Sequence, residues 1–183
     1  MKYIIVDLEA TCWEDRSKSP NEIIEIGAVC INEEKQIISE FNKFVKPIAH
    51  RMLSDFCTDL TSITQEQVND AQIFPTVLNE FQDWMLSFND EYILCSWGFY
   101  DQVQFKNDCL LHGLDISWLE SHVSLKHQYA KIKKTRSLGM KNALKKEKIA
   151  LDGTHHRGID DAKNIAKIFL KLFDKWNFSL RRN

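Results

Sequence analysis

Apolar positions along the chain follow two periods. Tyr3–Leu8 is an almost unbroken apolar run, as expected of a strand buried on both faces. Ile23–Ile31 (IIEIGAVCI) reads as a second strand and Gln36–Val45 as a third, and the NEEK turn between them predicts an antiparallel hairpin. Residues 47–63 form a long connection with little periodicity. Thr64 and Gln67 have the spacing of a capping box that opens a short helix. Pro75 marks another helix start, followed by Val77, Leu78, Phe81, Trp84, Met85 and Phe88 on one helical stripe. Tyr92–Trp97 is a fourth strand, Asp101–His112 a helix, and a short fifth strand is expected near His122–Leu125. Helical stretches over 126–134 and 137–147 precede a last helix, Gly158–Trp176. This order predicts one mixed α/β domain over residues 1–183, with a five-stranded sheet flanked by helices.

Polar residues that interrupt this pattern carry the chemistry. Asp7 and Glu9 lie one residue apart in the first strand, so their side chains share a face. Two carboxylates about 4 Å apart repel by roughly 4 kcal/mol at an effective dielectric of about 20. No Lys or Arg occurs from Tyr3 to Asp15 to offset this. Asp101 heads a helix where it could cap, yet it shares a face with Phe105 and Cys109. Asp161 falls on the stripe of Ile165, Ile168 and Leu172, while Asp160 points more to solvent. An Asp facing a core is costly unless it has a positive partner. Oxygen-rich clusters suit hard cations such as Mg²⁺ or Mn²⁺, and two such ions can clamp a phosphodiester. His155 and His156 precede Asp161, and an imidazole can take a proton from water at neutral pH.

Composition narrows the setting. The chain of 183 residues is 44% hydrophobic and 27% charged, with a net charge of −2, so a polyanion would have to be held locally or through metal. Residues 126–148 hold nine Lys or Arg against Glu147 alone, a basic patch that reads either as a phosphate track or as a solvated helix face. Five scattered cysteines without CxxC fit buried thiols in a reducing, cytoplasmic compartment. No apolar run suits a membrane span, and no signal peptide is expected.

DLEAT at 7–11, SWGFYD at 96–101 and HRGIDD at 156–161 resemble the three motifs of the DEDDh 3′→5′ exonucleases, which have a ribonuclease H-like fold. DLEATCW, LTSIT and THHRGIDDAKNIAKI are most similar to the branch holding the histone-mRNA 3′-end exonuclease and bacterial sporulation-inhibitor-like proteins. The resemblance implies that Asp7, Glu9, Asp101 and Asp161 ligate two divalent cations, Mg²⁺ or Mn²⁺, with His156 as general base. His155 does not match H-x4-D and receives no role. It further implies that Ala10 and Thr11 meet the terminal 3′-OH and that Leu60 and Thr61 pack on the last base. Trp97, Phe99 or Tyr100 would stack on a base. The expected substrate is the 3′ end of single-stranded RNA, with DNA as the alternative, and the product a nucleoside 5′-monophosphate. Eukaryotic members carry a SAP module for structured RNA, which this chain is expected to lack. A catalytically silent regulatory binding protein is the reading from a different class; the intact set of five catalytic residues argues against it.

Overall fold

A computed structural model describes residues 1–15 and 20–178. Strands β1 (Lys2–Ala10), β2 (Ile23–Ile31) and β3 (Ile37–Lys46) form an antiparallel meander. Helices α1 (Asp55–Thr61) and α2 (Gln65–Asp70) lead to β4 (Gln72–Ile73) and α3 (Phe74–Leu86). Then come β5 (Tyr92–Ser96), α4 (Tyr100–Leu111), β6 (His122–Ser124), α5 (Leu125–Ile132), α6 (Met140–Glu147) and α7 (Gly158–Lys171). The sheet order is β4-β3-β2-β1-β5-β6, with β5 and β6 parallel to β1.

The sheet has six strands, not five. The extra one, Gln72–Ile73, lies parallel to Val45–Lys46 at the edge, and two residues are too few to show a period. Within the connection over 47–63, α1 buries only Cys57 and Thr61, which explains its weak pattern. The Thr64–Gln67 capping box forms as expected. The last helix stops at Lys171 rather than Trp176 and continues as a 3₁₀ turn over Phe173–Lys175. Cys30, Cys57, Cys95 and Cys109 are buried, and Cys12 partly so. Among the described residues no helix is long and apolar enough to cross a membrane.

The alternation of β1 assigns each face. Ile4, Val6 and Leu8 pack with Phe81 of α3 and Phe105 of α4. Tyr3 and Ile5 point to the opposite layer, with Tyr129 of α5, Leu144 of α6 and Ile165 of α7. Asp7 and Glu9 are in phase with Tyr3 and Ile5, so both project toward the layer that contains α7.

That helix can approach because two glycines meet. Gly27 is opposite Asp7 in the β1–β2 register, and the start of α7 crosses directly above it. A Cβ on Gly27 would lie 2.0 Å from the backbone of Gly158, and one on Gly158 would lie 2.9 Å from the Asp7 carbonyl oxygen. The crossing is fastened beside it. Glu25 is fully buried and accepts two hydrogen bonds from the Arg157 guanidinium, each 3.1 Å, and one from the Gly158 N–H at 2.9 Å. A buried carboxylate is tolerable when so many donors satisfy it.

Candidate active site

Four carboxylates converge where β1, α4 and α7 meet. One ligand atom from each of Asp7, Glu9 and Asp161 lies within 4.8 Å of the others. Asp101 reaches the group from α4, of which it is the second residue. It does not cap its own helix. Its Oδ1 accepts the Leu8 N–H at 3.1 Å. That donor is open because β5 pairs with β1 only along Lys2–Ile5. Asp160 also caps elsewhere, accepting the Thr154 N–H at 2.8 Å.

The electrostatics are those of an uncompensated cluster. Burial, then Asp101, Glu9, Asp161 and Glu25, push the Asp7 carboxyl well above the ordinary range. Burial and then Glu25, Asp161 and Asp101 push Glu9 up to about 8. Asp101 is raised by burial to about 6, opposed by hydrogen bonds from Ser96 and the Leu8 N–H. Among the described residues no Lys or Arg forms an ion pair with any of the four, and the nearby Arg157 is spent on Glu25. An all-oxygen donor set with surplus negative charge fits a hard divalent cation.

Both histidines adjoin Asp161, in different ways. His155 Nδ1 lies 2.8 Å from Asp161 Oδ2, so the residue given no role is the one whose ring touches the carboxylate. His156 has φ +64°, in the left-handed region, and its backbone N–H donates to the same Oδ2 at 3.0 Å. The two rings lie 3.9 Å apart. Burial, with His155 and Lys141 adding to it, lowers the His156 pKa from its ordinary value of 6.5, which keeps the ring neutral and able to accept a proton.

The expected substrate contacts divide into open and closed. Leu60 and Tyr100 are exposed at 36% and 52%. The exposure of Tyr100 belongs to the residue as a whole, because its hydroxyl end is enclosed; burial there raises the hydroxyl to about 12, against a hydrogen bond with Asn21. Thr11 and Thr61 are among the closed ones. Thr11 is buried, and its hydroxyl accepts the Glu22 N–H at 2.9 Å. Thr61 is fully buried, donating to the Cys57 carbonyl at 2.8 Å and accepting the Ile63 N–H at 3.1 Å. Both hydroxyls hold the surrounding loops. Ala10 is buried, with its carbonyl facing Cys57 Sγ at 3.7 Å. Trp97 is partly buried, its indole N–H bonded to the Leu138 carbonyl at 3.0 Å. The basic segment is partly spent as well, since Lys133 pairs with the buried Glu147 at 2.7 Å and Tyr129 donates to it.

Glu25 and Arg157 escaped the sequence reading. The signal was there for Glu25, a lone acid inside the apolar run IIEIGAVCI, the same anomaly that singles out Asp7. Nothing local marks Arg157 as its partner 132 positions away.

Known proteins place this geometry. The Exonuclease family model (RNase_T) matches residues 4–169. The chain is 34% identical to ERI1 exoribonuclease 2 of Xenopus laevis, over 92% of this chain and 28% of that protein. It is 35% identical to 3′-5′ exoribonuclease 1 of Homo sapiens, over 92% of this chain and 51% of that protein. It therefore spans about half, or less, of the length of these relatives. In structure it resembles the nuclease domain of 3′hExo, a DEDDh family member, bound to rAMP. The TM-score is 0.91 at 33% identity, covering 100% of this chain and 96% of that one. With the family model matching most of its length, and with relatives at 34–35% identity covering 92% of it, the chain belongs to the exonuclease family.

Proposed function

We propose that the protein is a metal-dependent 3′→5′ exonuclease that trims single-stranded RNA and releases nucleoside 5′-monophosphates. The observation that carries this is the convergence of Asp7, Glu9, Asp101 and Asp161 with no Lys or Arg ion pair among the described residues, beside a histidine whose pKa is lowered. The four carboxylates would hold two divalent ions, Mg²⁺ or Mn²⁺, which supply Lewis acidity toward phosphodiester oxygens. His156 accepts the proton of the attacking water, and its lowered pKa suits that role at neutral pH. Tyr100 offers exposed surface beside the carboxylates for the terminal base, and Leu60 is exposed on α1. RNA is favoured over DNA because relatives at 34–35% identity are named exoribonucleases and the similar nuclease domain binds rAMP.

The test is a time course on 5′-labelled single-stranded RNA and DNA of one sequence with Mg²⁺ or Mn²⁺. A ladder descending by one nucleotide, abolished by EDTA and faster on RNA, is the expected result. No shortening of either strand with either metal would sink the reading. Mn²⁺ should also raise Tm, and EDTA should reverse the gain, because an ion bound only by the folded state stabilises it by mass action.

The two histidines are separable. His156→Ala is expected to lower kcat by at least about 10²-fold while the Mn²⁺-induced rise in Tm persists. His155→Ala is expected to cost less than about tenfold, because its ring contacts a proposed ligand rather than the reacting water. Single-turnover rates of both variants decide it, and the reverse order of losses would make His155 the base.

A further inference from the structure

The loop entering α4 carries three aromatic residues in three settings. Trp97 is anchored to the Leu138 carbonyl and packs against Tyr129. Tyr100 turns toward Asn21 and the carboxylates. Phe99 does neither. Its ring stacks on His127, with centroids 4.8 Å apart and planes at 26°, and the residue is 51% exposed. The support beneath it is built. The His127 Nδ1 lies 2.6 Å from the Ser124 hydroxyl, and His122, whose ring is 6.0 Å from Phe99, lies 2.9 Å from the Ser96 hydroxyl.

One exposed Phe needs no explanation in itself. This one is stacked on an anchored histidine, stands two residues before Asp101, and has cationic neighbours although the catalytic group is strongly acidic. The Lys126 side chain runs beside Gly98, reaching 4.0 Å from where a Cβ there would lie. Lys141, at the start of α6, is near enough to His156 to act on its charge. The Trp97–Leu138 hydrogen bond ties the residues just before α6 to the Phe99 loop. A supported aromatic face among lysines is what a single strand needs for one base and its phosphate. Stacking tolerates any sequence because every base has a π-face.

We infer that Phe99, stacked on His127 and flanked by Lys126, is a platform for the base of a nucleotide upstream of the scissile phosphate in single-stranded nucleic acid. This rests on the exonuclease reading. Tyr100 and Leu60 then serve the terminal nucleotide, and Phe99 grips the chain that remains after each cut. A subsite on the retained chain sets affinity for oligonucleotides without touching the reacting atoms.

The experiment compares the parent with Phe99→Ala and Phe99→Trp on two substrates. One is a short single-stranded RNA, and the other is the p-nitrophenyl ester of uridine 5′-monophosphate, whose leaving group replaces the upstream chain and has no nucleobase. Phe99→Ala is expected to raise KM on RNA by about tenfold or more relative to any change on the ester, and Phe99→Trp to restore it. RNA abasic at the penultimate position should cost the parent what Phe99→Ala costs on intact RNA, and cost Phe99→Ala little more. Equal kinetics of Phe99→Ala and parent on RNA would overturn the proposal and leave the stack as a protein-contact face. So would equal losses on both substrates, or an abasic penalty of the same size in both proteins. If the parent hydrolyses neither substrate with Mn²⁺, the exonuclease reading fails first and this inference with it.

Discussion

Asp7→Asn is expected to slow hydrolysis by about 10³-fold and yet make the metal-free protein more stable than the parent. Asp7 lies at the centre of the charge cluster, and its carboxyl is raised by burial together with Asp101, Glu9, Asp161 and Glu25. The amide keeps the shape and removes one charge. Losing a ligand that positions ions against the transition state costs about 4 kcal/mol, or about 10³-fold in rate. Without metal the same change removes repulsion, and a gain of about 1 kcal/mol corresponds to about 2–4 °C in Tm for a chain of this size.

The stability gap should grow with pH. Glu9 has an ordinary pKa of 4.5 and is raised to about 8 in the fold. A group raised by folding contributes stability that is complete below its unfolded pKa and is lost as pH rises through its folded pKa. Asp101, raised to about 6, acts in the same direction. The metal-free parent should therefore lose stability from about pH 4.5 to pH 8. Asp7→Asn should lose less over that window, because its remaining carboxylates ionise beside one fewer charge. Melting curves in EDTA across this range, with a nuclease assay at neutral pH, check both halves. A variant less stable than the parent at pH 8 would contradict the repulsion account, and retained activity would contradict the assignment of Asp7.

Gly27→Ala is expected to damage stability and activity together from a position that bears no functional group. The added methyl would sit 2.0 Å from the Gly158 carbonyl carbon and from the Ile159 nitrogen, and 2.5 Å from the Gly158 oxygen. These are backbone atoms, so no side chain can swing aside. α7 must lift, and with it Asp161, the fourth residue of that helix. Overpacking of this kind costs about 3 kcal/mol, or roughly 6–12 °C in Tm here. A displacement of about 1 Å at a catalytic group can cost about 10²-fold in rate. The Mn²⁺-induced rise in Tm should shrink in parallel. Gly139→Ala is the control, because its φ is −62° and a Cβ there meets nothing within 4 Å. Similar losses at both positions would show that the close crossing of β2 and α7 is not what positions Asp161.

Much of the site was legible because it violates local patterns. Asp7 and Glu9 break an apolar strand at a spacing that forces them onto one face, and both do project together toward α7. Asp161 interrupts the buried stripe of its helix and is itself buried. Asp101 could have been an ordinary cap, and only its bond to the Leu8 N–H shows that it serves another element. The same local logic did not show that Thr11 and Thr61 would be buried. Their positions flank the motifs, but whether a hydroxyl faces substrate depends on which loop folds against it.

The order of elements, the strand faces and the identity of the clustered acids follow from the sequence by itself, since periods of 2 and 3.6 are properties of neighbouring residues. Tertiary structure alone decided the rest. It paired Glu25 with Arg157, let α7 cross Gly27, set the His155 ring on Asp161, stacked Phe99 on His127, and added a sixth strand too short to have a period. Each is a contact between segments far apart in the chain. Such contacts depend on how whole layers pack, which no local repeat encodes.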